Sequence, residues 1–154
     1  MTTRAVSELS DSELVAQFRN SAIERSKFRG LAKDNRIYEG EMAPAYEALA
    51  ARGSNSLRTL LALVDDPNLD VRLDAAILVY DLDPQRCRGA LRAVLKEKWL
   101  RPLATVLLLQ KDPAFAAEFN RLAKAQDYDA LERMIDGFAE ATLSTSGGSD
   151  SHEQ

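Results

Sequence analysis

Histidine and cysteine are almost missing from this chain of 154 residues, which holds one of each. The histidine, His152, stands in a polar C-terminal stretch, so a Ser/His or Cys/His nucleophile pair has no place to form. Cys87 alone can make no internal disulfide, and with only carboxylates for company it is not a ligand set that zinc favours. The seven glycines are scattered, two of them (Gly147 and Gly148) in the tail, so no glycine-rich phosphate loop exists. Charge of one sign is also lacking: the net charge of −4 announces neither nucleic-acid binding nor membrane adsorption. The opening MTTRAVSELSDSE has no apolar core of the signal-peptide kind, and the apolar run Leu103–Leu109 is too short to span a bilayer. These absences predict no cofactor, no metal, no hydrolytic activity, no membrane partner and a cytoplasmic location.

What is present is helix. Hydrophobic content of 45% with 29% charged residues fits a soluble globular domain. The stretch from Leu57 to Pro84 carries Leu57, Leu60, Leu61 and Val64 at helical spacing, then the turn residues Asp65-Asp66-Pro67-Asn68. A second stripe follows with Val71, Ala75, Leu78, Val79 and Leu82, and with Asp70 and Asp74 on its wet side. Leu73, Ala76, Ile77 and Tyr80 widen its apolar surface, so this helix is expected to be covered from several directions.

Upstream, residues 1–9 look loose, and Ser10 with Glu13 makes a capping box with Leu9 and Leu14 at staple spacing. A first helix with Leu14, Val15, Phe18 and Ala22 inward runs to Gly30, and a second runs from about Lys33 to Arg52. Pro44 predicts a kink or restart inside the second helix, and Gly53 a left-handed terminator. Downstream, Asp83-Pro84 and Asp112-Pro113 repeat the Asp66-Pro67 device, each an Asp cap before proline at the first helical position. A fifth helix, about 84–98, puts Cys87, Leu91, Val94 and Leu95 on one face. Pro102 opens a sixth, apolar enough to be buried on most sides. A seventh, about 113–125, and an eighth, about 127–142 with Leu131, Met134, Ile135 and Phe138 inward, complete a single domain over 10–143. Residues 144–154, Gly/Ser-rich and polar, read as a disordered tail.

The pattern L-L-x-L-x-D-D-P-N-x-x-V-R-x-x-A-A resembles the helix-turn-helix signature of HEAT-like repeats. Leu60, Leu61 and Leu63 match the end of the first helix, Asp66-Pro67-Asn68 the turn, and Val71-Arg72 with Ala75-Ala76 the second helix. More narrowly, over roughly residues 10–96, the chain is similar to a bacterial domain-of-unknown-function family, number 2019 in its series. Its members join an upstream helix, here Asp34-Asn35-Arg36, to such a unit. The resemblance implies an all-α fold, a short right-handed α-solenoid of about eight helices, the 46 residues from Asp66 to Asp112 falling within the period of HEAT-like pairs. It implies almost no chemistry, because that family has no established enzymatic activity. It also implies that Asp66 and Arg72 tie the turn to a neighbouring helix, and that Asn35, Arg36 and Tyr38 form a packing and capping cluster.

One charge pattern stands out. Between Pro84 and Arg101 the chain carries Arg86, Arg88, Arg92, Lys96, Lys98 and Arg101 against Glu97, a local balance of +5. Residues 54–83 balance to −4, and residues 111–154 hold four basic residues against nine acidic ones. Arg88, Arg92 and Lys96 recur every four residues, so they share one side of a helix, either as a solvated face or as a surface that meets an acidic partner. Trp99, at a helix junction, fills the core or stacks on a partner. The turn aspartates, Asp65-Asp66 with Asp81 and Asp83, are caps before they are catalysts. The expected function is therefore a non-enzymatic protein-binding module, in its sharpest version an immunity protein or adaptor that blocks a toxin or effector. Its expected partner-binding residues are Arg88, Arg92, Lys96, Trp99, Tyr80 and Asp81. Two other classes stay open: a HEAT-like nucleic-acid binder or DNA glycosylase-like enzyme, disfavoured by the acidic balance, and a homo-oligomeric structural protein.

Overall fold

The computed structural model describes residues 4–152, with side chains from Arg4 to Ala141. The side chains of the tail expected to be disordered, residues 144–154, His152 among them, therefore lie outside the described residues, while its backbone continues the last helix as far as His152. Among the described residues the chain is all-α, with no strand. It divides into two compact units, Met1–Asp83 and Pro84–Gln154.

In the first unit, a single turn of 3₁₀ helix (Val6–Glu8) leads into α1 (Asp11–Ser26). The expected capping box starts it: the Glu13 backbone N–H donates to Ser10 Oγ at 3.1 Å, and the Ser10 N–H to Glu13 Oε1 at 2.9 Å. Leu14, Phe18 and Ala22 are fully buried beneath it, whereas Val15 is half-buried. The long second helix is in fact three pieces, α2 (Ala32–Ile37), a π turn (Tyr38–Met42) and α3 (Ala43–Ala51). Pro44 is the cause, since it offers no N–H to a carbonyl one turn earlier, and the wider π turn absorbs the mismatch. Gly53 takes φ 115° and ψ 173°. That positive φ requires glycine, but the extended ψ turns the chain straight into α4 (Ser54–Leu57) and makes no left-handed cap.

The helix expected before Asp66 is mostly 3₁₀, over Arg58–Asp65. With three residues per turn, Leu60 eclipses Leu63 and Leu61 eclipses Val64, and all four are buried. After the turn comes α5 (Leu69–Val79), whose cap is Asn68, not Asp66: Asn68 Oδ1 accepts from the N–H groups of Asp70 (2.9 Å) and Val71 (3.2 Å). Asp66 instead accepts from the Asn68 N–H, at 2.9 Å, to shape the turn. Val71, Leu73, Ala75, Ala76 and Val79 are buried, while Leu78 is half-buried and Ile77 is exposed. Asp74, expected on the wet side, is only 3% exposed, because α1 packs over that side of α5. A 3₁₀ turn, Tyr80–Leu82, ends the unit.

The second unit holds α6 (Pro84–Leu95), α7 (Arg101–Lys111), α8 (Pro113–Lys124) and α9 (Tyr128–His152). Here the aspartate-proline device works as expected before α8, where Asp112 Oδ1 accepts from the Phe115 N–H at 3.1 Å. Successive helices pack on one another, and α9 returns to α6. Cys87, Ala90, Leu91, Val94 and Leu95 supply the α6 side of the core, and Phe115 meets Phe138 edge-on at 5.2 Å between centroids. The turn from α8 to α9 uses Gln126 at φ 58°.

Candidate functional site

The basic row of α6 faces α9. Arg88 Nε lies 2.8 Å from Asp112 Oδ2, and Lys96 Nζ lies 3.8 Å from Glu140 Oε2. The Arg88 and Arg92 guanidinium groups stand 5.1 Å and 4.8 Å from the centre of the Phe138 ring, and Arg92 Nε donates to the Phe138 carbonyl at 3.2 Å. Burial, and then the neighbouring Arg88 charge, lower the pKa of Arg92 from its ordinary value. The row thus acts inside the unit, fastening α9 to α6. Its carboxylate and aromatic partners come from residues 24 or more positions away, which periodicity on one helix does not reveal.

Tyr80 and Asp81 belong to the first unit, Tyr80 buried and Asp81 exposed, whereas the row belongs to the second. The first unit has its own charged seam, made by two arginines of α1, Arg19 and Arg25, and by Arg29 in the turn that follows it. Arg19 Nε donates to Asp66 Oδ2 at 2.6 Å, Arg25 Nε to Asp34 Oδ1 at 2.6 Å, and Arg29 Nη2 to Asp70 Oδ1 at 2.7 Å. Arg25 also reaches Asp74, with Nη1 at 3.5 Å from Oδ2, and lies 5.0 Å from the centre of the Tyr38 ring. Arg72 Nε donates to the Asp66 carbonyl. Asp66 and Arg72 are thereby the tie expected of them, with Arg19 as the far anchor. Asn35 and Arg36, expected to pack, are exposed.

Burial works to raise the Asp66 pKa, but the Arg19 hydrogen bond, the Asn68 N–H and the charges of Arg19 and Arg72 hold it below the ordinary value. Asp34 behaves in the same way: burial is outweighed by the Arg25 hydrogen bond, the Gly30 N–H and the charges of Arg25 and Arg29. For Asp74 burial wins, and its pKa is pushed up to about 6 against the pull of Arg25 and Arg29. The signal for this seam was available: Asp66, Asp70 and Asp74 recur every four residues, as do Arg25 and Arg29. No three His, Cys, Asp or Glu side chains among the described residues converge as a metal-binding group.

The remaining feature is apolar. Trp99 is 83% exposed, not core filling, and Leu103 and Val106 are 40% and 52% exposed. Leu103 and Val106, three positions apart, lie on the outer side of α7, and Trp99 stands in the turn just before that helix. The expectation that this helix is buried on most sides fails because α6 and α8 cover only part of it. A groove of about 400 Å³ opens between α7, α8 and α9. Val106, Leu109, Phe119, Leu131 and Ile135 line it with carbon. Lys98, just before α7, and Arg101, at its start, border it on one side and Glu132 of α9 on the other. Arg101 Nη2 links α7 to α9, 3.2 Å from Glu132 Oε2 and 2.9 Å from Asp136 Oδ1. A second hollow of about 390 Å³, in the first unit, is more polar and is lined by Glu13, Gln17, Asn20 and Glu41.

No helix among the described residues is long and apolar enough to cross a membrane. No curated protein matches the chain. The crystal structure of the protein RPA1889 from Rhodopseudomonas palustris CGA009 is similar, with a TM-score of 0.61 and 30% sequence identity over 72% of this chain and 96% of that one. The profile of the Domain of unknown function (DUF2019) family matches residues 12–106, from the start of α1 well into α7. By that match, this chain belongs to the DUF2019 family.

Proposed function

We propose that this chain is a non-enzymatic protein-binding module that docks a partner on the outer face of α7. The observation that carries the reading is the exposure of Trp99, Leu103 and Val106 beside an apolar groove. Water-facing apolar side chains, two on α7 and one in the turn before it, bordered by charge, suit a partner that brings its own apolar ridge. An aromatic anchor such as Trp99 is the residue type that contributes most to such contacts. The sharpest version of the reading is a cytoplasmic adaptor or immunity protein that covers a partner's working surface.

A catalytic reading has less support. Asp66 and Asp34 are each held by an arginine, and Asp74 is buried beneath α1. The nucleic-acid alternative rested on Arg88, Arg92 and Lys96, whose charges already meet Asp112, Phe138 and Glu140 within the unit. The test is photo-crosslinking in the source cells, with a benzophenone amino acid at position 103 and, as control, at the exposed position Glu39. Adducts from position 103 and not from position 39 are expected. No adduct, or equal yields from both, would refute the reading.

A further inference from the structure

We propose that the occupant of the α7 face is a second copy of this chain, paired about a two-fold axis running along the groove. The inference rests on the reading of that face as a docking surface and names its partner. Three observations support it.

The first is charge. The groove has a basic edge, Lys98 just before α7 and Arg101 at its start, and an acidic edge on α9, where Glu132 and Asp136 are exposed; Arg101 pairs with both carboxylates of its own chain, which leaves Lys98 as the cation offered to a second copy. A surface whose two edges carry opposite charge is complementary to itself: a two-fold rotation along the groove lays each basic edge over the other copy's acidic edge. A partner of uniform charge would be attracted by one edge and repelled by the other. The second observation is shape. Trp99, at 83% exposure, projects next in sequence to Lys98, which borders a carbon-lined hollow of about 400 Å³. An isologous contact needs both halves on one patch, and burying a Trp ring removes about 150–250 Å² from water at each of two sites. The third is support. Leu100, Ala104, Leu107 and Leu108 are buried, so the face is held by the core and little ordering is needed on contact.

The experiment uses the full chain in low and moderate salt, with light scattering after size exclusion at about 1 to 100 µM, the range in which weak dimers form. Wild type should move from monomer to dimer over that range, with weaker association at higher salt. Trp99→Ala should raise the dissociation constant at least about tenfold, with an unchanged melting temperature because the side chain touches little of its own unit. Charge reversals supply an internal control. Lys98→Glu sets like charges against Glu132 of a second copy, and Glu132→Lys does the same against Lys98, so each variant alone should dimerise poorly. Mixed, the two should restore a dimer, since both edges then meet opposite charge. Wild type that stays monomeric throughout, or a mixture no better than its components, overturns the second copy. The position-103 crosslinks separate this from the docking reading itself. Adducts of twice the chain's mass support both; adducts of another mass keep the docking face and remove the second copy; no adduct removes both.

Discussion

Replacing Asp74 by Asn should make the protein more stable at pH 8, and by roughly half as much at pH 5. Asp74 is 3% exposed, and burial raises its pKa from the ordinary 3.8 to about 6. The groups facing it are Arg25 from α1, Arg29 from the turn after α1, Asp34 from α2 and Asp70 from its own helix; the two arginines favour its charge, and the two carboxylates oppose it. The folded chain therefore holds this proton more tightly than the unfolded chain does. Its contribution to stability is complete below the unfolded value near 3.8, and is lost as pH rises through about 6. A rise of roughly two pKa units corresponds to about 3 kcal/mol between protonated and ionised forms. Asn mimics the neutral form in shape. Arg25 keeps a partner in Asp34, 2.6 Å away, so removing the Asp74 charge does not strand a cation. A gain of about 1–3 kcal/mol at pH 8 follows, equivalent to several degrees in melting temperature for a chain of this size. Urea melts of both proteins at about pH 5 and pH 8 read the difference directly. A variant less stable than wild type at pH 8 would show that the Arg25–Asp74 pair stabilises more than burial costs, and the reasoning would fail. At the acid end the sign reverses. Asp34 and Asp66 have lowered pKa values, so their contribution is present above the ordinary carboxylate range and is lost as pH falls below it.

Reversing Arg88 and Arg92 to Glu should destabilise the second unit by about 2–3 kcal/mol, since it sets like charge beside the buried Asp112 and removes both cations from Phe138. Melting curves check this, and an unshifted transition would mean that the α6–α9 seam carries no stability. Asn68→Ala removes the α5 cap and should cost about 1 kcal/mol, whereas Asn68→Asp should keep most of it; equal losses in the two variants would place the effect elsewhere.

The sequence by itself determined the helices and most of their starts. The Ser10 capping box, the break at Pro44, the Asp112 cap and the buried stripe of α6 depend on bonds and spacings between residues within a few positions of one another, so the chain records them directly. The DUF2019 family was legible for the same reason, in the turn Asp66-Pro67-Asn68 and the stripes beside it. Trp99 was visible as a candidate, but whether it faced core or water was not. Where periodicity met two neighbours at once, the reading broke down. Asp74 sits at a position that a lone amphipathic helix would leave wet, and only the docking of α1 across α5 buries it and sets Arg25 beside it. Leu103 and Val106 read as core because they lie in an apolar run, and only the placement of α6 and α8 left their side of α7 open. The basic row looked like a free surface until α9 came back over it, because charge along one helix says nothing of what a segment 46 residues later brings to meet it. Local bonds depend on neighbours in sequence, whereas burial, pairing and exposure depend on neighbours in space, and those exist only once the helices have packed.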